Sequence, residues 1–112
     1  MEAMSANFLY KSELEWVDAG GGLYRKMMGY DGNLMLIKVR FLKGAIGYVH
    51  QHIHSQSSYV LSGLFEVMVN DEKKILKPGD GFFVEPNTPH GAVCLEEGEL
   101  IDTFSPMRED FL

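Results

Sequence analysis

Three of the chain's four histidines, His50, His52 and His54, occupy alternate positions within five residues. Side chains two apart on an extended strand project from the same face, so two of these imidazoles can reach one cation. Neutral imidazole is the ordinary ligand of Zn, Ni, Fe and Cu. The fourth, His90, ends the segment Glu85-Pro86-Asn87-Thr88-Pro89, a stiff loop suited to presenting one ligand from a distant strand. Gln56 lies two residues beyond His54 and brings an amide oxygen to the same neighbourhood. A histidine pair alone reads equally well as decoration on a surface strand. With Gln56 and His90 added, a divalent metal site becomes the better reading.

Elements that hold such a cluster must be strands, because no helical periodicity runs far. Glu13 to Asp18 has room for one turn at most. The remainder reads as short strands cut by Gly, Pro, Asn and Asp, the pattern of a β-sandwich or barrel. Expected strands are Leu23 to Met28, Leu34 to Leu42, Tyr48 to Ile53, Ser58 to Leu61 and Leu64 to Val69. Lys73 to Leu76, Phe82 to Val84, Ala92 to Leu95 and Leu100 to Phe104 complete the set. Turns are expected at Gly29 to Asn33, at Asn70-Asp71 as a hairpin, at Pro78-Gly79-Asp80 and at Glu96-Glu97-Gly98. Lys38 and Arg40 alternate with Ile37, Val39 and Phe41, which leaves one face of that strand wet.

At 112 residues the chain holds one domain with its own core, spanning residues 1–112 with an N-terminal arm over about 1–20. A hydrophobic share of 46% and a charged share of 23% are those of a globular protein. The formal net charge of -6 repels phosphate backbones, and no basic patch offsets it, so nucleic acid is not an expected partner. An anionic small molecule would have to be drawn in by local positive charge, such as a metal or an Arg. Cys94 is the single cysteine, so no intrachain disulfide forms. No apolar run is long enough to span a bilayer, and Met1 to Tyr10 lacks the features of a signal peptide. The cytosol is the expected location.

Gly47 to Gln56, continuing to Gly63, resembles the first motif of the cupin superfamily: two histidines one apart, three or four residues, an acid, six residues, glycine. Pro78-Gly79-Asp80-Gly81-Phe82-Phe83-Val84-Glu85-Pro86-Asn87-Thr88-Pro89-His90 resembles the second. The resemblance implies an all-β, single-domain cupin fold (a double-stranded β-helix, or jelly-roll barrel). It also implies a metal held by His50, His52, Gln56 and His90. Three positions depart from the pattern. Gln56 replaces the usual Glu, Glu85 and Asn87 replace Pro and Gly, and Cys94 replaces Asn. A neutral amide ligand leaves the full charge on the ion and weakens the case for an iron dioxygenase. Ni, Zn, Mn, Fe and Co all accept this donor set. His54 is expected beside the site or at a subunit contact rather than as a ligand.

The segment Gly91 to Leu112, taken with Gly47 to Gln56, Met35 to Val39 and Tyr59-Val60, resembles the KdgF family of pectin-degradation cupins. That likeness implies an enzyme that opens the ring of 4,5-unsaturated monouronates, with catalytic roles for Asp102, Phe104 and Arg108. The residues themselves leave more open. Asp102 and Phe104 share a strand face with Leu100, but Ile101 and Thr103 could equally form the core side. Phe104 also reads as plain core, and Arg108 as a surface charge paired with Glu109 or Asp110. An Arg suits a bidentate grip on a uronate carboxylate. Tyr30, Tyr48 and Tyr59 are weaker pocket candidates. Another cupin isomerase, a dioxygenase and a non-catalytic sugar-binding cupin remain alternatives. Edge strands left uncovered invite pairing, so the fold leads us to expect a homodimer.

Overall fold

In the computed structural model, which describes residues 4–112, eight antiparallel strands follow one another with no α-helix among the described residues. They are β1 (Val17–Gly20), β2 (Leu23–Asp31), β3 (Leu34–Phe41), β4 (Ile46–His50), β5 (Ser55–Val69), β6 (Glu72–Leu76), β7 (Gly81–Val84) and β8 (His90–Ser105). Short 3-10 turns occupy Lys11–Glu13 and Glu109–Phe111.

Two long strands organise everything else. β5 and β8 pair along nearly their whole lengths, from Ser55 opposite Ser105 to Val69 opposite His90. The first half of β8 also pairs with β4, and its second half with β3. β5 likewise pairs with β7 through its first half and with β6 through its second. One sheet therefore runs β1-β2-β3-β8-β5-β7 and the other β4-β8-β5-β6, the two long strands crossing between them. This is the expected jelly-roll barrel.

The crossing explains where sequence punctuation misleads. Ser58 to Leu61 and Leu64 to Val69 are one strand, as are Ala92 to Leu95 and Leu100 to Phe104. The register slips between Val60 and Phe65, opposite Glu96 to Glu99, and the strands bend there without breaking. Gly63 (φ +86°) and Gly98 meet backbone to backbone at this bend. A Cβ on Gly63 would lie 2.6 Å from Gly98 Cα and 2.7 Å from the Glu96 carbonyl.

Other boundaries also differ from expectation. β2 continues through Gly29 to Asp31, with a register slip after Met27 where Gly29 takes φ 139°. The histidine strand ends at His50 rather than Ile53, so His52 and His54 sit on a bend. The turn expected within Glu13 to Asp18 lies earlier, at Lys11–Glu13. Residues 17–20 of the expected arm form β1, and residues 1–3 of it lie outside the described residues. The arm is fastened where β2 slips: Ser5 N–H donates to Tyr30 O (2.8 Å) and Tyr30 N–H to Ser5 Oγ (3.0 Å). Asn70 (φ 55°) and Asn87 (φ 59°) adopt the left-handed conformation, so the hairpin at Asn70 and the Asn-for-Gly exchange at Asn87 both suit asparagine.

Between the sheets the core contains Met35, Ile37, Val39 and Phe41 of β3, Val60, Phe65 and Val67 of β5, and Cys94, Leu100 and Phe104 of β8. Phe41 and Phe65 pack edge to face, centroids 5.1 Å apart. Burial of each such ring stabilises by roughly 2–3 kcal/mol. Along β8, Leu100, Asp102 and Phe104 are buried while Ile101 and Thr103 are half-exposed, which settles the face that the sequence left open. Asp102 therefore stands inside the barrel. On the outer face Lys38–Glu99 (3.1 Å) and Arg40–Glu97 (2.6 Å) bridge β3 and β8, so the wet face expected of β3 is the solvent side.

Gly63→Ala adds both a left-handed alanine and a backbone clash. It is expected to cost about 3 kcal/mol or more in urea unfolding. Gly79→Ala (φ +97°) meets no atom within 4 Å, so only the strain of about 1–2 kcal/mol applies. Equal losses for the two variants would refute the close-packing role of Gly63.

Candidate metal centre

β4 ends where β8 begins, and His50 and His90 are partners across that pair. His52 follows on the bend after β4. The loop that delivers His90 is tied to this bend, because Asn87 N–H donates to the His52 carbonyl (2.7 Å). One end of the barrel thus gathers three imidazoles from segments far apart in the chain. Their centroids lie 4.5 Å (His50–His90), 4.8 Å (His52–His90) and 5.5 Å (His50–His52) apart. One nitrogen of each falls within 4.8 Å of the others, a cluster able to hold a metal ion.

Their protons are fixed by the backbone. His50 Nδ1 lies 2.9 Å from Tyr48 O, His52 Nδ1 3.0 Å from His54 O, and His90 Nδ1 2.8 Å from Thr88 O. A carbonyl oxygen only accepts, so each Nδ1 must donate. In the neutral ring the lone pair then resides on Nε2. Burial lowers the pKa of both His52 and His90, which favours their neutral forms.

Gln56, the second residue of β5, completes the set. Its amide is oriented by a chain of hydrogen bonds: Gln56 Nε2 donates to Ser58 Oγ (3.0 Å), and Ser58 Oγ donates to Asp102 Oδ1 (2.6 Å). An ionised Asp102 can only accept, so it takes the single hydroxyl proton of Ser58. Ser58 must then accept from the Gln56 amino group. That leaves Gln56 Oε1 facing His52 Nε2 at 3.0 Å. With the His52 proton on Nδ1, both of these atoms are acceptors. Buried His90 Nε2 has no hydrogen-bond partner at all. Two facing acceptors and an orphaned buried nitrogen are what a cation between them would satisfy. The donor set therefore fits a divalent transition metal.

His54 stays outside this set. Its carbonyl holds His52, and its ring packs against the His52 ring with centroids 5.2 Å apart.

Beside the histidines lies a cavity of about 180 Å³, whose walls include His50, Gln56, His90, Asp102, Phe104 and Arg108. The sequence-derived site residues other than His52 thus share one cavity wall, and His52 borders them through Gln56 and Phe104 (centroids 5.8 Å apart). Asp102 is buried between Ile37 and Ser58. Burial pushes its carboxyl up to about 6, against the opposing pull of Ser58 and Arg108. Arg108 makes a bidentate pair with Asp110 (3.0 and 2.8 Å) and also lies over Phe104 at 5.2 Å. The expected pairing with Asp110 is present, but the Arg108 side chain is largely covered and lines the cavity rather than the open surface. Cys94 is buried and its thiol is pushed up by desolvation, as befits an inert core residue.

Two residues on the cavity wall escape sequence reading, Arg25 and Phe111. Arg25 carries a signal: it alternates with Leu23 and Met27, so a charged residue sits on an apolar strand face. Phe111 carries none, because only the turn after Pro106 returns it to the barrel mouth, where it packs on Phe104 with centroids 5.8 Å apart. Tyr30, Tyr48 and Tyr59 do not line this cavity.

The family model described as Cupin domain matches residues 37–104. The pectin degradation protein KdgF of Dickeya dadantii (strain 3937) is 49% identical over 107 residues, 94% of this chain and 97% of that protein. An RmlC-like cupin of Shewanella frigidimarina NCIMB 400 superposes with a TM-score of 0.96 at 53% identity, covering 97% of this chain and 98% of that one. KdgF from Halomonas sp. superposes with a TM-score of 0.92 at 43% identity, over 96% of this chain and 100% of the other. Matching family model, backbone and sequence over nearly its full length, the chain belongs to the cupin family and, within it, to the KdgF proteins.

Proposed function

We propose that this protein is a metal-dependent enzyme that opens the ring of 4,5-unsaturated monouronates, giving the linear 5-keto-4-deoxyuronate. The observation that carries this reading is Asp102, a carboxylate inside the barrel on the wall shared with His50, Gln56 and His90. Burying such a group unpaired costs several kcal/mol, so its placement calls for a chemical purpose. Kinship with a protein of pectin degradation supports the substrate class.

His50, His52, His90 and Gln56 would hold the ion, which when bound supplies a Lewis acid for substrate oxygens. The substrate is a cyclic hemiacetal with a C4=C5 double bond. Its opening is an isomerisation: the anomeric hydroxyl loses a proton, C1 becomes an aldehyde, the C1–O5 bond breaks and the electron pair leaves as an enolate. A proton added at C4 completes the 5-ketone. Asp102 is suited to take the first proton and to return one at C4, since a carboxyl near pH 6 is poised for transfer in both directions. Phe104 forms an apolar wall against the sugar ring. Arg108, stacked on Phe104, adds positive charge toward the substrate carboxylate. The cavity suits a monosaccharide rather than a chain. We place the reaction in the cytosol and expect a homodimer.

The direct assay follows loss of the conjugated C=C absorbance of an unsaturated monouronate. Metal-loaded protein is expected to exceed the spontaneous rate, and a chelator to abolish the excess; a metal-loaded sample giving no acceleration would overturn the reading. Zinc at about a hundredfold over its Kd should stabilise the fold by about 2.7 kcal/mol in thermal unfolding. His90→Ala should remove most of that gain, and an unaltered gain would place the ion elsewhere.

Asp102→Asn is expected to lower the catalysed rate by about 100-fold or more. In the wild type the rate should fall on the acid side, with a midpoint at or below about 6, because the base form is required and a bound cation favours it. The stability sign is opposite to that of a salt-bridged acid. A carboxyl raised in the folded state binds the extra proton there, so stability falls as pH rises from the ordinary value of 3.8 towards 6 and stays lowered above it. Asp102→Asn should therefore stabilise metal-free protein at pH 8, by up to about 3 kcal/mol, and far less at pH 4. Destabilisation at pH 8 with a retained rate would remove Asp102 from both roles.

A further inference from the structure

Arg25 has no part in the chemistry described so far, yet it stands in the same cavity. It is the third residue of β2, paired with Val17 on one side and Val39 on the other. Its neighbours two positions away, Leu23 and Met27, pack against the hydrophobic core. An arginine on that face points its charge into the barrel mouth.

Both arginines of the cavity lie over the same aromatic ring. The guanidinium carbon of Arg25 is 4.0 Å from the Phe111 centroid, and that of Arg108 is 4.2 Å from it. Arg108 is committed: its Nε and one terminal amino group grip Asp110. Arg25 is not. Among the described residues it has no ion-pair partner and no side-chain hydrogen bond. Burial and the charge of Arg108 act against its own cationic form, and the charge of Asp110, already gripped by Arg108, offsets them only in part. Two like charges against one ring, with one carboxylate between them, leave a cationic position without its counter-anion. A half-buried guanidinium carries a desolvation cost until an anion meets it. Its free planar donors match a carboxylate bidentately.

We infer that Arg25 is the carboxylate anchor of this cavity, holding a small monocarboxylate sugar while Arg108, locked by Asp110, shapes the wall beside it. The inference rests on the ring-opening reading for its substrate but not for its geometry. Arg25 fixes where the carboxylate and the C5 that bears it sit, and so sets how C1 and C4 are presented to Asp102 and the histidines. Anionic sugars should then be selected over neutral ones of the same size. Against the acidic balance of the chain, net -6, such a local positive pair favours entry of an anion.

The test compares metal-loaded wild type, Arg25→Met and Arg25→Lys in the absorbance assay, with galacturonate and galactose as competitors and galacturonate binding followed by calorimetry. Arg25→Met is expected to raise KM by about 10-fold or more while changing kcat much less, a uniform binding loss of one charged bidentate contact. Galacturonate should lose its advantage over galactose as a competitor in the same variant, and Arg25→Lys should recover part of both. A merely structural role would weaken the two sugars alike. If Arg25→Met fails to fold, Arg25→Lys carries the comparison, since a single point charge should still bind galacturonate less tightly than the fork. Unchanged KM and unchanged galacturonate binding, with an active wild type, would overturn Arg25 as anchor and leave ring opening standing. An inactive wild type that binds galacturonate through Arg25 would support the anchor and remove ring opening. No galacturonate binding by wild type would overturn the anchor.

Discussion

A neutral imidazole has one proton to place, and the nitrogen left bare is the one that can bind a metal. In this protein the choice is made by three backbone carbonyls, those of Tyr48, His54 and Thr88, each within 3.0 Å of an Nδ1. The rest of the site depends on that constraint. It sends three Nε2 lone pairs to one end of the barrel. It also makes strand geometry, rather than side-chain freedom, the source of the arrangement. His50 and His90 are positioned by the pairing of β4 with β8. The bend carrying His52 is fastened to the His90 loop through Asn87 N–H. Carbonyl partners of this kind also orient a ring and raise its basicity as a ligand.

The same economy links the metal ligands to the proton chemistry. Gln56, Ser58 and Asp102 form a single hydrogen-bond chain across β5 and β8, whose register sets Ser58 opposite Asp102 and Gln56 opposite Phe104. While Asp102 is ionised, each donor in the chain has only one direction to point, and the Gln56 carbonyl faces the histidines. A glutamate at position 56 would bring a second carboxylate towards buried Asp102, and the pair would repel. The departure from the usual acid is therefore consistent with the placement of Asp102. Arg25 and Arg108 share Phe111 in this same cavity, which therefore brings two cationic groups together with the ligand cluster and one buried acid.

Much of this was legible in the chain. His50, His52, Gln56 and His90 are readable because they fall in two compact segments whose spacings are set by strand and loop geometry. The face of Asp102 was not, since Leu100-Ile101-Asp102-Thr103-Phe104 offers apolar residues on both sides; only the partners Ile37 and Ser58 decide it. Around Gly63 and Glu96-Glu97-Gly98 the glycines look like turns in sequence but instead let two long strands cross at contact distance. The histidine strand ends at His50 although alternation continues in sequence past it, so local pattern alone overextends it. Arg25 and Phe111 depend on tertiary return, one from a strand on the far side of the sheet and one from the last turn. No local pattern around Phe111 announces it.

Nitrogen-15 NMR of the imidazoles tests the central claim most directly, by reading the tautomer of each ring in metal-free protein and again with one equivalent of zinc. The account predicts that His50, His52 and His90 all carry their proton on Nδ1 before metal is added. It predicts further that only their Nε2 resonances, and not those of His54, shift on binding. A proton on Nε2 of any of the three in metal-free protein, or a zinc response that reaches His54 and spares His90, would contradict it.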